Sequence, residues 1–246
     1  MMNFDTLRVQ EDDTRVLVQL HRPQSRNAIN AAMIEELHSV CAELERYPRF
    51  LVISGAGADF AAGADIFELR GRGREEALAG INRSLFDRIA RLSLPTIAAV
   101  EGNALGGGAE LTYACDLRVA GASARFGNPE PGLGIIAAAG ASYRLADLVG
   151  KSVAKQVLLG GRILDADAAY RHGLVAEVVA EGAALSAAVA LVDRMAKLSQ
   201  LALRLSKCAV DAEGPHPALD DLAQAVLFEG EDKRDRMTRF LEKRKV

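Results

Sequence analysis

Short apolar runs and helix-like patterns alternate along the first half of the chain. Runs rich in valine, isoleucine, leucine and alanine, each bounded by polar or glycine-containing turns, predict strands at residues 15–20, 50–54, 95–100 and 116–120. Between them, apolar residues recur at helical spacing, as in the segment that follows the expected N-cap Asn30 and ends near Arg46. A further charged helix is expected from about Glu75 to Leu92. This alternation predicts α/β architecture with parallel strands.

The pattern becomes mostly helical beyond about Lys151, and the end of the chain reads as helices alone. No low-complexity linker separates these helices from the strands that precede them. We therefore expect an α/β core over residues 1–190 and a C-terminal helical region over residues 191–246 that packs on the core.

Three consecutive glycines at residues 106–108 stand between the predicted strand 95–100 and a helix-forming segment. A helix start presents N–H groups without intrahelical partners, and glycine lets another group approach them closely. A second glycine-containing turn, residues 60–65, follows the predicted strand 50–54. If neighbouring strands carry the two turns, one N–H group from each can converge on a single point, as in an oxyanion hole. The alternative is two tight turns packed for steric reasons.

Three carboxylates accompany these turns. Glu110 falls in the first turn of the helix that follows the glycines, where it can act on whatever the N–H donors hold. Glu130 stands between Pro129 and Pro131, which present it rigidly, although a surface loop position would also explain it. Asp65 ends the second turn and is more simply explained as a helix N-cap.

Composition and spacing argue against several other classes of protein. The chain has 246 residues and a net charge of −3 with both signs scattered, so it lacks the basic surface of a nucleic-acid binder. Its histidines and three cysteines show neither metal-ligand nor disulfide spacing, and we expect each cysteine to be a small buried apolar residue. No apolar run approaches the ~20 residues of a membrane span, and the N-terminus lacks an apolar signal core. We expect a cytoplasmic protein without a metal site or a membrane partner.

Several segments together resemble the crotonase family of enoyl-CoA hydratases and isomerases. The similarity extends over nearly the whole chain. Its most specific segments are FAAGADI at residues 60–66, PTIAAV at 95–100, ALGGGAEL at 104–111, CDL at 115–117 and FGNPE at 126–130. The resemblance implies a core of β-β-α units wound as a spiral, with C-terminal helices that assemble a homotrimer or homohexamer.

The resemblance also implies an acyl-CoA thioester as substrate, with coenzyme A entering as part of it and no separate cofactor. Carried over by position, the backbone N–H groups of Ala64 and Gly107 form the oxyanion hole for the thioester oxygen. Glu110 and Glu130 match the two catalytic glutamates of family hydratases. The implied reaction is hydration of a trans-2-enoyl-CoA, in which Glu110 activates water for attack at C3 and Glu130 delivers a proton to C2.

Contacts with coenzyme A follow from the same resemblance. It assigns them to Arg26, in a loop near the CoA phosphates, to Ala62, Asp65 and Ile66, and to Phe240 and Lys243 near the C-terminus. A solvated charge or a packing aromatic ring explains Arg26, Phe240 and Lys243 equally well.

One segment departs from the family pattern. Family hydratases usually read Pro-Gly-x-Gly-Gly-Thr-Gln-Arg-Leu where this chain has AAAGASYRL at residues 137–145. Alanine favours a helix start, but the added methyl groups are expected to narrow the pocket or shift a bound water. The alternatives to a hydratase are therefore a Δ3,Δ2-enoyl-CoA isomerase or another acyl-CoA enzyme of this fold, and a non-catalytic assembly or ligand-binding module.

Overall fold

A computed structural model describes residues 4–212 and 216–243. Its strands are β1 (Leu7–Glu11), β2 (Arg15–Leu20), β3 (Phe50–Gly55), β4 (Thr96–Val100), β5 (Asn103–Leu105), β6 (Leu117–Gly121), β7 (Arg125–Gly127), β8 (Leu164–Asp165) and β9 (Glu177–Val179). Its helices are α1 (Ala31–Arg46), α2 (Ile66–Gly71), α3 (Arg74–Ala79), α4 (Ile81–Ala90), α5 (Gly107–Ala114), α6 (Ala141–Leu158), α7 (Ala166–Arg171), α8 (Ala184–Met195), α9 (Gln200–Val210), α10 (His216–Glu229) and α11 (Glu231–Lys243).

Six of the strands form one sheet in the order β1-β2-β3-β4-β6-β9. Its neighbouring strands are parallel except for β1 and β2, which pair antiparallel. Strands β5, β7 and β8 form a second, smaller sheet. Parallel strands need crossover connections, and the intervening helices supply them. The predicted alternation of strands and helices thus folds as the expected α/β architecture.

Helix α1 shows how the hydrophobic pattern becomes packing. Asn30 caps it by accepting a hydrogen bond from the Met33 amide at 3.1 Å, as predicted. Its buried positions are Met33, Ile34, Leu37, Val40, Cys41 and Leu44. Strands β3 and β4 are buried over almost their whole length, as expected for central parallel strands covered on both faces.

The two glycine turns follow β3 and β4, which are paired neighbours in the sheet. Ala61 and Ala104 form an isolated parallel bridge, so the turns lie side by side. Only glycine fits at position 108, because a Cβ there would overlap the carbonyl oxygen of Ala61 and lie 2.8 Å from its Cβ. The condition for convergence, that neighbouring strands carry the two turns, is therefore met.

The prediction of one continuous helix from about Glu75 to Leu92 is wrong, because the structure has two helices there. Helix α3 ends before Gly80, whose φ of +59° is left-handed, and α4 begins at Ile81. A left-handed glycine is a common helix terminator, and apolar spacing alone does not reveal it. The break gives α4 a first turn of its own.

The chain divides into two compact units, Met1–Val192 and Asp193–Val246. In the second unit, α9 and α10 contain no buried residues within the described range. Cys208 of α9 is exposed, so its predicted burial is wrong, whereas Cys41 and Cys115 of the first unit are buried as expected. The packing of residues 191–246 on the core and on neighbouring subunits stays a prediction.

Arg118 is a buried arginine of β6 that binds the C-terminal end of α5. Its guanidinium donates hydrogen bonds to the carbonyl oxygens of Thr112 at 3.1 Å, Cys115 at 2.6 Å, Asp116 at 3.2 Å and Leu174 at 2.5 Å. A cation at this end satisfies carbonyl groups without intrahelical donors and interacts favourably with the helix dipole. Because α5 begins at Gly107, Arg118 anchors the far end of the helix that follows the glycine turn.

Replacing Arg118 with methionine should lower the free energy of unfolding by about 3 kcal/mol, because several buried carbonyl groups lose their donor. Urea unfolding followed by circular dichroism measures this change. Arg91→Met, at the exposed arginine that directly follows α4, is the matched control and should change stability by less than about 0.5 kcal/mol. Equal unfolding midpoints for the two variants would contradict the anchoring role of Arg118.

Candidate active site

The backbone amides of Ala64 and Gly107 border one small space beside Gly107. A Cβ placed on Gly107 would lie 3.4 Å from the nitrogen of Ala64. A Cβ placed on Gly63 would lie 3.9 Å from the nitrogen of Gly107. The nitrogens of Ala64 and Gly107, one from each glycine turn, therefore both lie close to the position that a side chain of residue 107 would fill.

Within the described ranges, neither of these two amides donates to a protein acceptor. Their neighbours are engaged: Asp65 N donates to Ile29 O at 2.9 Å, and Gly106 N donates to Gly127 O at 2.8 Å. Gly107 is the first residue of α5, so its N–H group lies at the positive end of the helix dipole. Two donors placed in this way suit an oxygen that carries negative charge.

Glu110 lies in the first turn of α5 and is 3% exposed. Its Oε1 accepts hydrogen bonds from the amides of Ala139 at 2.8 Å and Ala141 at 3.1 Å. Among the described residues, no donor contacts its Oε2. One oxygen of this carboxylate is therefore fixed by the backbone, and the other is left for a ligand.

Glu130 follows α5 in the chain, and its side chain lies against the same glycine turn. Its Oε1 lies 3.1 Å from the position of a Cβ on Gly106. Asn128 Nδ2 donates to this oxygen at 3.5 Å, and the Tyr113 hydroxyl donates to Asn128 Oδ1 at 3.2 Å. Glu130 Oε2 is buried without a hydrogen-bond partner in the described part of the chain. A buried unpaired oxygen is costly, and proteins retain such atoms chiefly where function requires them.

Burial dominates the electrostatics of both glutamates. It raises the pKa of Glu110 from 4.5 to about 7; the hydrogen bond from Ala141 opposes the rise, and repulsion from Glu130 adds to it. Burial likewise raises the pKa of Glu130, against hydrogen bonds from its own amide and from Asn128. The two carboxylates are thus close enough to interact, and near neutral pH the pair favours a state that retains a proton.

The alanine-rich segment before α6 is part of this site. The amides of Ala139 and Ala141 hold Glu110, and α6 begins at Ala141, where the sequence predicted a helix start. Arg144 ties the segment to α4, since it donates to the carbonyl oxygen of Ala139 at 3.4 Å and to Asp87 Oδ1 at 2.6 Å. The effect of the added methyl groups on a bound water stays a prediction.

The residues assigned to coenzyme A in the first unit lie around the turn of residues 60–65. Arg26 has a left-handed φ of +50°, its carbonyl oxygen accepts from the Ala62 amide at 2.9 Å, and its Nε donates to Asp59 Oδ2 at 2.8 Å. Its side chain is 55% exposed. Asp65 caps α2 as predicted, because its Oδ1 accepts from the Phe67 amide at 3.1 Å.

The other residues assigned to coenzyme A are Ile66, Phe240 and Lys243. Ile66 opens α2 with an exposed side chain. In the second unit, Phe240 is exposed on α11. Lys243 ends α11, and its side chain lies outside the described residues. Their roles in binding stay predictions.

Three residues near the site were missed by sequence reasoning. Tyr113 follows Glu110 by three residues, so helical spacing was the available signal. Asn128 precedes Glu130 by two residues in the segment FGNPE, whose pattern indicates no role for this side chain. Asn82 of α4 gave no signal, although its Nδ2 lies 3.6 Å from the position of a Cβ on Gly107. Its place depends on the break at Gly80.

The described residues contain neither a cluster of metal ligands nor a helix that could span a membrane. No group of three or more histidine, cysteine, aspartate and glutamate side chains that could hold a metal ion occurs in residues 4–212 and 216–243. Over the same ranges, no helix combines the length and the apolar character needed to cross a membrane.

Comparison with known proteins gives a consistent result. A family model described as enoyl-CoA hydratase/isomerase matches residues 11–246. The chain is 35% identical over 260 residues to the short-chain-enoyl-CoA hydratase of Clostridium acetobutylicum, with 100% of this chain and 98% of the relative covered. It is 36% identical over 256 residues to the crotonyl-CoA hydratase of Syntrophomonas wolfei, again covering 100% of this chain and 98% of the relative.

A solved structure of an enoyl-CoA hydratase from Bacillus anthracis matches the chain with a TM-score of 0.92. The two proteins are 30% identical, and the match covers 97% of each chain. This likeness confirms the fold class that the sequence motifs led us to expect.

The raised pKa of Glu110 predicts a pH-dependent stability difference between the protein and its Glu110→Gln variant. An acid whose pKa is raised on folding binds its proton more tightly in the folded state than in the unfolded state. The protonated carboxyl of Glu110 therefore stabilises the protein fully below pH 4.5, and this stabilisation is lost as the pH rises to about 7. Glu110→Gln should therefore gain stability relative to the unchanged protein across this window, by on the order of 3 kcal/mol.

Urea unfolding at a series of pH values measures the difference. Glu177→Gln, at an exposed glutamate of β9, controls for the loss of one negative charge. A constant stability difference between Glu110→Gln and the unchanged protein across the window would show that the carboxyl of Glu110 titrates normally.

Proposed function

The chain belongs to the enoyl-CoA hydratase/isomerase family, and we propose that it is an enoyl-CoA hydratase that adds water across the double bond of a trans-2-enoyl-CoA. One observation carries the proposal. Two buried carboxylates, Glu110 and Glu130, border the same glycine turn as two N–H groups without protein acceptors in the described chain. A non-catalytic module would have no use for this costly arrangement.

The N–H groups of Ala64 and Gly107 act on the thioester carbonyl oxygen. When water attacks C3, electron density moves from the double bond to this oxygen, and the two donors stabilise the resulting enolate. In the best-studied protease case, each such donor contributes about 3 kcal/mol to transition-state stabilisation. The dipole of α5 adds to the same effect.

The two glutamates divide the proton transfers. Ionised Glu110 takes a proton from water as the water oxygen bonds to C3, and protonated Glu130 gives its proton to C2 as the enolate collapses. Burial raises the pKa of both carboxyl groups, and the charge of Glu130 adds to the rise at Glu110, so the pair holds a proton near neutral pH. The mechanism uses the form of the pair in which that proton is on Glu130. After turnover Glu110 holds the extra proton, and exchange with solvent restores the starting state.

Isomerisation of a 3-enoyl-CoA is the second candidate. It requires one carboxylate to move a proton and no added water. Each glutamate is buried and has one oxygen without a donor among the described residues, so one of them alone can supply this carboxylate. Activity on a 3-enoyl-CoA that survives Glu110→Ala would assign the task to Glu130. Product analysis distinguishes the two reactions.

We also propose that coenzyme A is bound through Arg26, Ala62, Asp65 and Ile66 of one subunit, with Phe240 and Lys243 supplied from the C-terminal helices. The second unit supports assembly into a homotrimer or homohexamer, because it exposes large apolar side chains. They include Leu201, Val210, Leu222, Val226 and Leu241. A cytoplasmic location is part of the same proposal.

Substitution of either glutamate should abolish most hydration. We expect Glu110→Gln and Glu130→Gln each to lower kcat by about 10²- to 10⁴-fold, because each removes one proton transfer. Loss of the conjugated enoyl-thioester absorbance, over a panel of trans-2-enoyl-CoA chain lengths, measures the rate. Glu177→Gln should leave it unchanged. If no chain length is hydrated by a protein that binds acyl-CoA, the hydratase proposal is wrong, and turnover of 3-enoyl-CoA alone would establish the isomerase.

Gly107→Ala tests the space between the amides. The new methyl group would make ordinary contact with Ala64 at 3.4 Å, so the protein should fold normally while the methyl crowds the space that the two amides border. We expect kcat/KM to fall at least about 100-fold. Gly71→Ala, where a Cβ would meet nothing within 4 Å, is the matched control. Unchanged kcat/KM in Gly107→Ala would place the thioester elsewhere.

A further inference from the structure

Asn82 brings a third N–H donor to the space beside Gly107. The two nearest atoms to a Cβ at residue 107, outside its chain neighbours and its own helix, are both nitrogens. One is the backbone nitrogen of Ala64 at 3.4 Å, and the other is Asn82 Nδ2 at 3.6 Å. Together with the N–H of Gly107 itself, three donors from three separate elements border one position.

The orientation of the Asn82 amide is determined by its partner. Arg72 Nη1 donates to Asn82 Oδ1 at 3.0 Å. A guanidinium can only donate, so the amide atom that faces it must be the oxygen, and the NH₂ group must face the other way, toward Gly107. Arg72 thereby excludes the flipped amide, which would direct a lone pair into the space.

Arg72 is itself held in place. Its side chain is 18% exposed, and its Nη2 lies 3.8 Å from Glu68 Oε2. The same Glu68 oxygen accepts a hydrogen bond from the Ala31 amide at 2.8 Å, at the start of α1. A chain of charge-assisted contacts therefore runs from α1 through α2 to the side chain of Asn82 on α4.

The side-chain nitrogen of Asn82, Nδ2, donates to no protein acceptor in residues 4–212 and 216–243. Its position in the first turn of α4 results from the left-handed Gly80, which ends α3 and starts a new helix. An uninterrupted helix would continue the direction of α3 through this point. The break, the arginine and the amide together direct one donor at the glycine turn.

We propose that Asn82 is a catalytic residue whose Nδ2 donates a third hydrogen bond to the thioester oxygen as that oxygen becomes an enolate. The inference rests on the proposed function, in that the ligand is an acyl-CoA thioester. Because Arg72 polarises the amide from its far side, the bond strengthens as negative charge develops. Arg72 is a positioning residue that acts through Asn82.

A structural role for Asn82, as a link between α2 and α4, makes a different prediction. Asn82→Asp keeps the shape of the side chain and improves the contact with Arg72, but it replaces the donor at the hole by a carboxylate oxygen. A link role predicts near-normal activity for this variant. A donor role predicts a larger loss than in Asn82→Ala, because the carboxylate repels the enolate.

The first experiment compares Asn82→Ala and Asn82→Asp in the enoyl-CoA assay. We expect kcat to fall about 100-fold in the alanine variant and further in the aspartate variant, with KM changed less than kcat. Ser84→Ala, at an exposed residue of the same helix, is the matched control and should behave as the unchanged protein. Values of kcat within twofold of the unchanged protein in both Asn82 variants would overturn the proposal, as would a change confined to KM.

A second readout does not require turnover. A 3-oxoacyl-CoA forms an enolate that absorbs in the near ultraviolet, and a hole with three donors should shift the bound ligand toward it. We expect the bound enolate fraction to fall in Asn82→Ala and to vanish in Asn82→Asp. If this pattern holds in a protein that hydrates nothing, the donor role stands while the hydratase proposal fails. If the enolate fraction is the same in all three proteins, or zero in the unchanged one, Asn82 is not a donor.

Discussion

The contact between two backbone segments, residues 61–64 and 106–108, is the constraint on which the candidate site depends. Parallel pairing of β3 and β4 brings their following turns together, and the bridge between Ala61 and Ala104 sets their register. Glycine at 108 permits an approach that any Cβ would block. The two amides converge because of this approach, and the start of α5 then aligns a helix dipole with them. The carboxylates add chemistry to a space that the backbone has already formed.

Two carboxylates that are buried close together repel each other when both are ionised, and hydrogen bonds offset part of this cost. Glu110 is held at one oxygen by two amides, and Glu130 receives a longer hydrogen bond from a side chain that Tyr113 positions. The hydrogen bonds to Glu110 oppose the rise of its pKa, but burial and the charge of Glu130 still raise that pKa to about 7. Unequal hydrogen bonding thus gives two chemically identical groups different environments.

Strands, capped helices and glycine turns of this chain were predictable because each depends on local chemistry: the Asn30 cap, the apolar run of β3 and the glycines of residues 106–108. The sequence predicted that the turns converge only if neighbouring strands carry them, because the order of strands in a sheet depends on the tertiary fold. Gly80 was not recognised as a helix break, because glycine is tolerated inside helices and its φ is not written in the sequence. Asn82 was missed for the same reason, as its direction depends on that break and on an arginine ten residues earlier.

The alanine-rich segment contributes to the site through its backbone and not through its side chains. It contacts Glu110 through the amides of Ala139 and Ala141, and an amide donates equally well from alanine and glycine. The residue between them, Gly140, has a φ of +131°, which an L side chain rarely adopts, and here glycine is retained. Substitution is therefore tolerated where only the N–H group is used and excluded where the backbone conformation itself requires glycine. By this reasoning the exchange to alanine preserves the support of the proposed base.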